Sequence, residues 1–239
     1  MSAGLEISGP GAVPIITPAD VVAGREVARP AAGRVGHVAK RLMDVVLASV
    51  ALVLGAPVFL LVALVVMTTS PGPVLFRHER VGRAGTSFVC LKFRTMVVDA
   101  ERILAELLAA DDGLRRQFDA DYKLPADPRV TRIGRWLRRT SLDELPQFWN
   151  VLRGDMSLVG PRPIVTDELE RYGQWADVVF ADRPGLTGLW QVSGRSDIDY
   201  DTRVALDVRY VRGRSLAGDL AIMARTAGQM VTVRRNGAH

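Results

Sequence analysis

Hydrophobic and polar positions along the chain fall into two regimes. From Val45 to Phe76 there is no charged residue, and Val45–Met67 is a dense apolar run of 23 residues. At about 1.5 Å per residue a helix of that length reaches about 35 Å, enough for a hydrocarbon core of about 30 Å. A core helix of this length normally carries a polar stripe, and this one does not. After the turn signal Ser70-Pro71-Gly72-Pro73 the pattern becomes mixed. Val74–Phe76 and Phe88–Phe93 read as short strands around Gly82–Gly85. Residues 99–109 place Ile103, Leu104, Leu107 and Leu108 on one helical face, and helical patterns recur at 129–139, 145–153, 166–180, 200–212 and 216–233. Residues 111–128 mix acids with Gly113, Pro125 and Pro128 and read as containing a loop. No internal repeat is present. The predicted fold class is mainly α with minor β: a membrane-inserted N-terminal segment followed by a domain of amphipathic helices lying on the membrane surface.

Two features turn the apolar run from a crossing into a hairpin. Gly55-Ala56-Pro57 lies in its middle, and Pro57 has no N–H to offer the Val53 carbonyl, so the helix is expected to bend there. Each half covers roughly 15–18 Å, about half the hydrocarbon thickness. Both flanks are basic: Arg34, Lys40 and Arg41 before, Arg77, Arg80 and Arg83 after. The positive-inside bias therefore favours neither direction. A re-entrant helix-hairpin with Gly55 and Pro57 at its bend satisfies both observations, with a spanning helix as the alternative. The expected organisation is a flexible tail over 1–36, the re-entrant membrane helix over 37–69 and a surface domain over 70–239. The tail is rich in Gly, Ala, Pro and Val and lacks the basic start and apolar core of a signal peptide.

Composition narrows the classes. With 48% hydrophobic residues the 239-residue chain is not disordered throughout, and with Cys90 as its one cysteine it is no disulfide scaffold. A single greasy segment excludes a polytopic transporter. The net charge is +5, and Lys40, Lys92 and Lys123 are the only lysines among 31 basic residues. Arginine grips phosphate and carboxylate through a planar fork, so the bias suits a phosphate-handling surface, although genome composition produces the same bias. Nucleic-acid binding would use the charge but leaves the apolar segment unexplained.

The chemistry-bearing residues cluster in order. Arg132, Arg135, Arg138 and Arg139 fall within an arc of about 120° on one helix, opposite Val130, Ile133 and Leu137, a face suited to anionic headgroups with Trp136 at the interface. Next comes Ser141-Leu142-Asp143-Glu144-Leu145-Pro146-Gln147. Ser141 and Glu144 have the spacing of a capping box, and Asp143 could itself be the N-cap. Helix capping and a catalytic carboxylate pair are both open, and the two are compatible. Gly160-Pro161-Arg162-Pro163 holds an arginine between prolines. Arg183-Pro184-Gly185-Leu186-Thr187-Gly188 and Gln191-Val192-Ser193-Gly194-Arg195 are glycine-bearing loops, neither a P-loop nor a dinucleotide fingerprint.

Taken in order, Lys40-Arg41-Leu42-Met43-Asp44, Leu91–Met96, Ser141–Gln147, Ser157–Pro163, Arg183–Gly188 and Leu189–Arg195 resemble one family. It is the bacterial sugar transferase family, monotopic phosphoglycosyl transferases that use a polyprenyl phosphate. The resemblance covers about residues 40–230. It implies transfer of a sugar 1-phosphate from a UDP-sugar to undecaprenyl phosphate, with release of UMP, as the initiating step of exopolysaccharide, capsule or O-antigen assembly. It further implies Mg²⁺ as cofactor, a covalent phosphosugar-aspartate intermediate, and a catalytic domain on the cytoplasmic face of the inner membrane. On that match Asp143 is the nucleophile and Glu144 its dyad partner, with the metal held by Asp143 and Glu144. Lys92, Arg94, Arg138 and Arg162 are expected to bind substrate phosphate, and Pro184, Gly185, Gln191 and Arg195 to form the nucleotide-sugar loop. The implied partners are the UDP-sugar, undecaprenyl phosphate and membrane lipids, without nucleic acid, and self-association into a homo-oligomer stays open. Leu189–Asp197 with Asp199-Tyr200 looks like members that handle glucose or galactose; an N-acetylhexosamine and a non-catalytic membrane adaptor are the alternatives. Two departures stand out. Larger relatives carry further membrane helices ahead of this core, and the stretch after Tyr210, Arg212–Asp219, lacks the tryptophans often found there.

Overall fold

The computed structural model describes residues 34–121, 124, 127–194 and 198–235. Residues 1–33 of the tail expected over 1–36, and the loop residue Arg195, lie outside them, while residues 34–36 are helical. The described chain opens with one helix, α1, Arg34–Thr69, which begins ahead of the expected boundary at residue 37 and contains Pro57. It is long and apolar enough to cross a membrane, with a mean hydropathy of 2.9 over its most apolar window. Only 11% of that window is buried within the protein, which is not how a core helix sits. Val53, Leu54, Leu60 and Leu61 are exposed, and they gather around the Gly55–Pro57 bend position.

Both halves of α1 nevertheless dock on the rest of the chain. In the N-terminal half, Lys40 Nζ donates to Asp219 Oδ2 at 2.7 Å, and the Arg41 guanidinium donates to the carbonyls of Val151 and Leu152 at 2.6 and 2.7 Å. Asp44 accepts from Ser157 Oγ and Leu158 N at 2.8 and 3.1 Å, and Ala48 is fully buried beside Cys90, Val151 and Met156. The Lys-Arg-x-x-Asp stretch is thus a polar clamp, its members brought to one face by the helical repeat. In the C-terminal half, Val62 and Val66 are buried in a cluster with Phe93 and Leu137. Each such side chain contributes about 1.5–3 kcal/mol by leaving water.

The remaining elements follow as β1, Leu75–Val81; β2, Ser87–Phe93; α2, Ala100–Ala110; α3, Asp112–Asp121; α4, Arg132–Thr140; α5, Gln147–Arg153; β3, Ser157–Val159; α6, Ala176–Val179; β4, Gly185–Thr187; α7, Leu189–Val192; α8, Tyr200–Gly213; and α9, Leu216–Arg235. The fold is mainly helical with two small sheets. β1 and β2 form an antiparallel ribbon, longer than the sequence pattern suggested, and β3 pairs in parallel with β4.

Residues 111–128, read as containing a loop, hold α3 first, because Asp111 Oδ1 accepts from the backbone N of Gly113 and Leu114 at 2.7 and 3.0 Å and caps it, and the described residues 124 and 127–129 after it are irregular or turn. Two local expectations are corrected. The helix expected over 166–180 is a 3-10 stretch, Thr166–Trp175, broken from α6 by Gly173 at φ +48°. The capping box at Ser141 is not formed: Ser141 is left-handed at φ +56° and caps nothing through its side chain, Leu142–Glu144 is a 3-10 turn, and α5 starts only after Pro146.

Candidate active site

The ribbon builds the first wall. In its register Phe76 faces Lys92, His78 faces Cys90 and Arg80 faces Phe88. Because side chains alternate along a strand, His78, Arg80, Cys90 and Lys92 share one face. Burial pulls the His78 imidazole down to about 4, helped by the neighbouring positive charges of Arg80 and Lys92, so it is neutral at pH 7. Its Nδ1 is 3.0 Å from Arg80 Nη2.

The second wall comes from α4. Thr131 caps that helix by accepting from Gly134 N at 2.9 Å, and its own N–H donates to Thr95 O at 3.0 Å. The contact demands glycine at 134, since a Cβ there would lie 2.0 Å from Thr95 O. One turn later Arg138 Nε donates to Thr95 Oγ1 at 2.9 Å. The loop after β2 therefore locks the start of α4 and the middle of its arginine face at once. Trp136 on the same helix is 49% exposed, free to meet an interface.

Ser141 then reverses the chain and the 3-10 turn presents the two carboxylates differently. Asp143 is 6% exposed, whereas Glu144 is partly open and accepts from Lys92 Nζ at 2.7 Å. Burial pushes the Asp143 carboxyl above its ordinary value; Lys92 and Arg138 oppose the rise and the Glu144 charge adds to it. The site is a buried carboxylate whose negative charge is only partly compensated.

Arg162 enters from the β3–β4 pair. Its backbone N–H faces the Asp207 carboxyl, its guanidinium carbon lies 5.1 Å from the centre of the Trp190 ring, and its Nε is buried with no hydrogen-bond partner among the described residues. Arg80 links it to the carboxylates, feeling the charges of both Arg162 and Glu144 while lying 3.7 Å from Glu168. Glycines let the two strands close. A Cβ on Gly185 would sit 2.1 Å from Gly160 N, and one on Gly188 would sit 2.2 Å from Gly160 O.

The predicted residues sort accordingly. Lys92, Arg138, Asp143 and Glu144 come together, and Arg162 joins them through Arg80. Arg94 is buried and turned toward the end of α1, donating to Ser70 O, so it braces the Ser70–Gly72 turn. Buried Pro184 and Gly185 hold the segment after β3 that carries Arg162: Gly185 N donates to Pro161 O at 2.8 Å. Gln191 lies beside Gly188 with its Oε1 buried and unpartnered. Gly55 and Pro57 stay within α1. Sequence reading missed His78 and Arg80; strand alternation opposite Cys90 and Lys92 is the signal that would have found them.

Comparison with known proteins gives the same direction. Residues 35–233 match the sequence model of the bacterial sugar transferases. The undecaprenyl-phosphate galactose phosphotransferase of Salmonella typhimurium is 51% identical over 200 residues, 84% of this chain and 41% of that protein. The exopolysaccharide production protein ExoY of Rhizobium meliloti is 50% identical over 192 residues, 80% of this chain and 85% of that protein. The UDP-glucose:undecaprenyl-phosphate glucose-1-phosphate transferase of Caulobacter vibrioides is 43% identical over 202 residues, 81% of this chain and 70% of that protein. The chain thus spans about two fifths of the length of the Salmonella relative.

Proposed function

The chain belongs to the bacterial sugar transferase family, and from that premise we propose that it transfers a hexose 1-phosphate from a UDP-sugar to undecaprenyl phosphate at a membrane surface. The observation that carries this reading is the buried Asp143 carboxylate standing beside Glu144 and within the field of Lys92 and Arg138. A carboxylate oxygen attacks the sugar-bearing phosphorus, and the bond from that phosphorus to the oxygen of the UMP leaving group breaks. An oxygen of the lipid phosphate then attacks the same phosphorus and returns Asp143 as a free carboxylate. No net proton is needed in either half. Cations fixed in advance, Lys92, Arg138 and Arg162, offset the repulsion between a carboxylate and an anionic diphosphate. Splitting the transfer lets one site serve a water-soluble donor and a lipid acceptor in turn.

Mg²⁺ fits the donors present. Two adjacent carboxylates, Asp143 and Glu144, suit a hard cation that commonly takes one or two carboxylates with substrate phosphates completing its shell. When bound it neutralises charge on the diphosphate. The undercompensated charge of Asp143 is consistent with a further cation there.

Both halves of α1 dock on the same domain through Lys40, Arg41 and Asp44 at one end and Val62 and Val66 at the other. That supports the re-entrant reading, with the bend at Gly55–Pro57 in the membrane and the domain on the cytoplasmic face of the inner membrane. The names of the Salmonella and Caulobacter relatives favour galactose or glucose, and that of the Rhizobium relative favours exopolysaccharide assembly. The test is UMP release from a panel of UDP-sugars by the chain in lipid nanodiscs with undecaprenyl phosphate, with and without Mg²⁺. Without acceptor, intact-protein mass spectrometry should find a phosphohexose on the wild type and none on Asp143→Asn. Full turnover by Asp143→Asn would end the covalent reading.

A further inference from the structure

A cavity of 680 Å³ opens at the N-terminal end of α1, and none of Lys92, Arg138, Asp143, Glu144 or Arg162 lines it. Its walls carry Lys40, Arg41, Arg83, Arg183 and Arg214, against the carboxylates of Asp44 and Asp182. The carboxylates are already engaged. Asp44 accepts from Ser157 and Leu158, and Asp182 pairs with Arg214. Lys40 is taken by Asp219 at 2.7 Å.

The other three cations rest on neutral carbonyls: Arg41 on Val151 and Leu152, Arg83 on Ala181, and Arg183 on Gly154. Each of Arg83 and Arg183 uses only its Nε in these bonds, so the two terminal forks have no partner among the described residues. They are also crowded. Arg41 Nη2 and Arg183 Nε both lie within 4.0 Å of the point where a Cβ on Gly154 would sit. Burial lowers the Arg183 guanidinium and the nearby charges of Arg41 and Arg83 lower it further, while Asp44 and Asp182 oppose the fall. Five cations against two carboxylates that are already hydrogen-bonded leave the cavity net positive, a setting for an anion with several oxygens.

The cavity wall continues into grease. Val38 lines it and is 67% exposed, and Leu42, Val46, Val50 and Leu54 follow at four-residue spacing, all exposed along α1. That spacing makes one continuous apolar stripe leading away from the arginines. We propose that this cavity binds the phosphate of an anionic phospholipid, with the acyl chains lying along the Val38–Leu54 stripe. A soluble phosphate or nucleotide would engage the guanidinium forks alone; a phospholipid joins the forks and the adjoining stripe in one molecule. The site holds the helix at the headgroup plane by a second contact besides the Lys40–Asp219 clamp. It rests on membrane placement of α1 and not on the transfer chemistry.

The full chain in nanodiscs of phosphatidylcholine doped with phosphatidylglycerol, released into mild detergent, tests this by native mass spectrometry of retained lipid. The wild type should keep one phosphatidylglycerol in preference to phosphatidylcholine. Arg83→Gln with Arg183→Gln should weaken that retention about tenfold or more, the worth of one charge-assisted contact. Arg102→Gln, on an exposed pair of α2, controls for surface charge and should change nothing. If the double variant does not fold, Val38→Ser with Leu42→Ser leaves the arginines intact and should still weaken retention. Equal retention of both lipids by the wild type, or unchanged retention in the folded variants, overturns the proposal. Displacement of the lipid by inorganic phosphate alone reassigns the cavity to a soluble anion and overturns it too. UMP release from the same preparations reports separately on the transfer reaction.

Discussion

Replacing Lys92 by methionine removes one cation from between two carboxylates. Lys92 Nζ is 2.7 Å from Glu144 Oε1 and is the foremost of the charges that hold Asp143 down against its burial. An opposite charge close to a carboxylate lowers its pKa by about 1–3 units. The Lys92 side chain is 31% exposed, so solvent screening keeps its hold on Asp143 at the low end of that range. The substitution also leaves the Glu144 charge unpartnered beside Asp143, which acts in the same direction.

The sign follows from the chemistry. The attacking form of Asp143 is ionised, so the rate falls on the acid side as the carboxyl protonates. In the wild type that limb should already lie above the ordinary aspartate value of 3.8. In Lys92→Met it should move further up, because the charge that most opposes the rise is gone. A loss independent of pH, about 10²–10³-fold, should accompany it, because the same ammonium is lost to the diphosphate. Lys92→Arg keeps the charge and should keep the limb. The assay is the single-turnover rate of UMP release against pH, in nanodiscs with saturating UDP-hexose. A Lys92→Met enzyme that is slower at every pH but whose acid limb stays in place would refute the coupling to Asp143 and leave Lys92 as a substrate contact alone.

Gly134→Ala should drive α4 away from Thr95 and with it Arg138, so both thermal stability and transfer should fall, whereas a variant with wild-type melting and activity would remove the close contact from the account. Glu168→Ala breaks a buried carboxylate from Arg203 at 2.9 Å and Arg80 at 3.7 Å, and should cost about 3–5 kcal/mol in denaturant melts. Burial pushes Glu168 up but the Arg203 hydrogen bond and charge outweigh it, leaving the carboxyl below 4.5; its contribution is therefore present above that pH and lost in more acid, and the variant should lose that acid sensitivity. Asp207 behaves oppositely. Burial raises it to about 7 despite the Tyr172 hydrogen bond, so the folded chain keeps a proton that the unfolded chain releases, and stability falls as pH rises from about 4 to about 7. The melting temperature of Asp207→Asn should gain on the wild type over that window; a gap constant with pH would refute the assignment.

That Lys92, Arg138, Asp143 and Glu144 would lie together was legible because the resemblance groups their motifs and charged residues are costly to bury alone. Asp143-Glu144 after an arginine run, and Arg162 between prolines, pointed to an anionic ligand through the family resemblance; taken alone they also fit helix capping and ordinary turns. The apolar run announced the membrane helix by its length and lack of charge. What stayed hidden depended on contacts distant in sequence. β3 and β4 are three residues each, too short for an alternating pattern, and they pair only because Gly160, Gly185 and Gly188 let backbones touch. Arg94 belongs to the same motif as Lys92, yet its partner is Ser70 O, a contact that exists only once α1 has folded back to β2. Ser141 and Glu144 have capping spacing, but the left-handed turn at Ser141 takes precedence over the cap. His78 and Arg80 look like ordinary strand residues until the ribbon register sets them opposite Cys90 and Lys92.

The membrane helix and the candidate active site are one construction. The C-terminal half of α1 packs against Phe93, Leu137, Leu142 and Leu145. Each is a direct sequence neighbour of a site residue: Phe93 of Lys92, Leu137 of Arg138, Leu142 of Asp143, and Leu145 of Glu144. Successive residues in a strand or a tight turn point in different directions. The apolar member of each pair is therefore turned to the membrane helix and the charged member away from it. With α1 placed in a bilayer as proposed, its depth sets the height of all four charged groups together. In the proposed reaction the carboxylate meets a water-borne diphosphate and a lipid phosphate in turn, which calls for a position at the headgroup plane. Burying four neighbours on one helix fixes it there more rigidly than any single anchor, because moving the helix would expose the whole cluster.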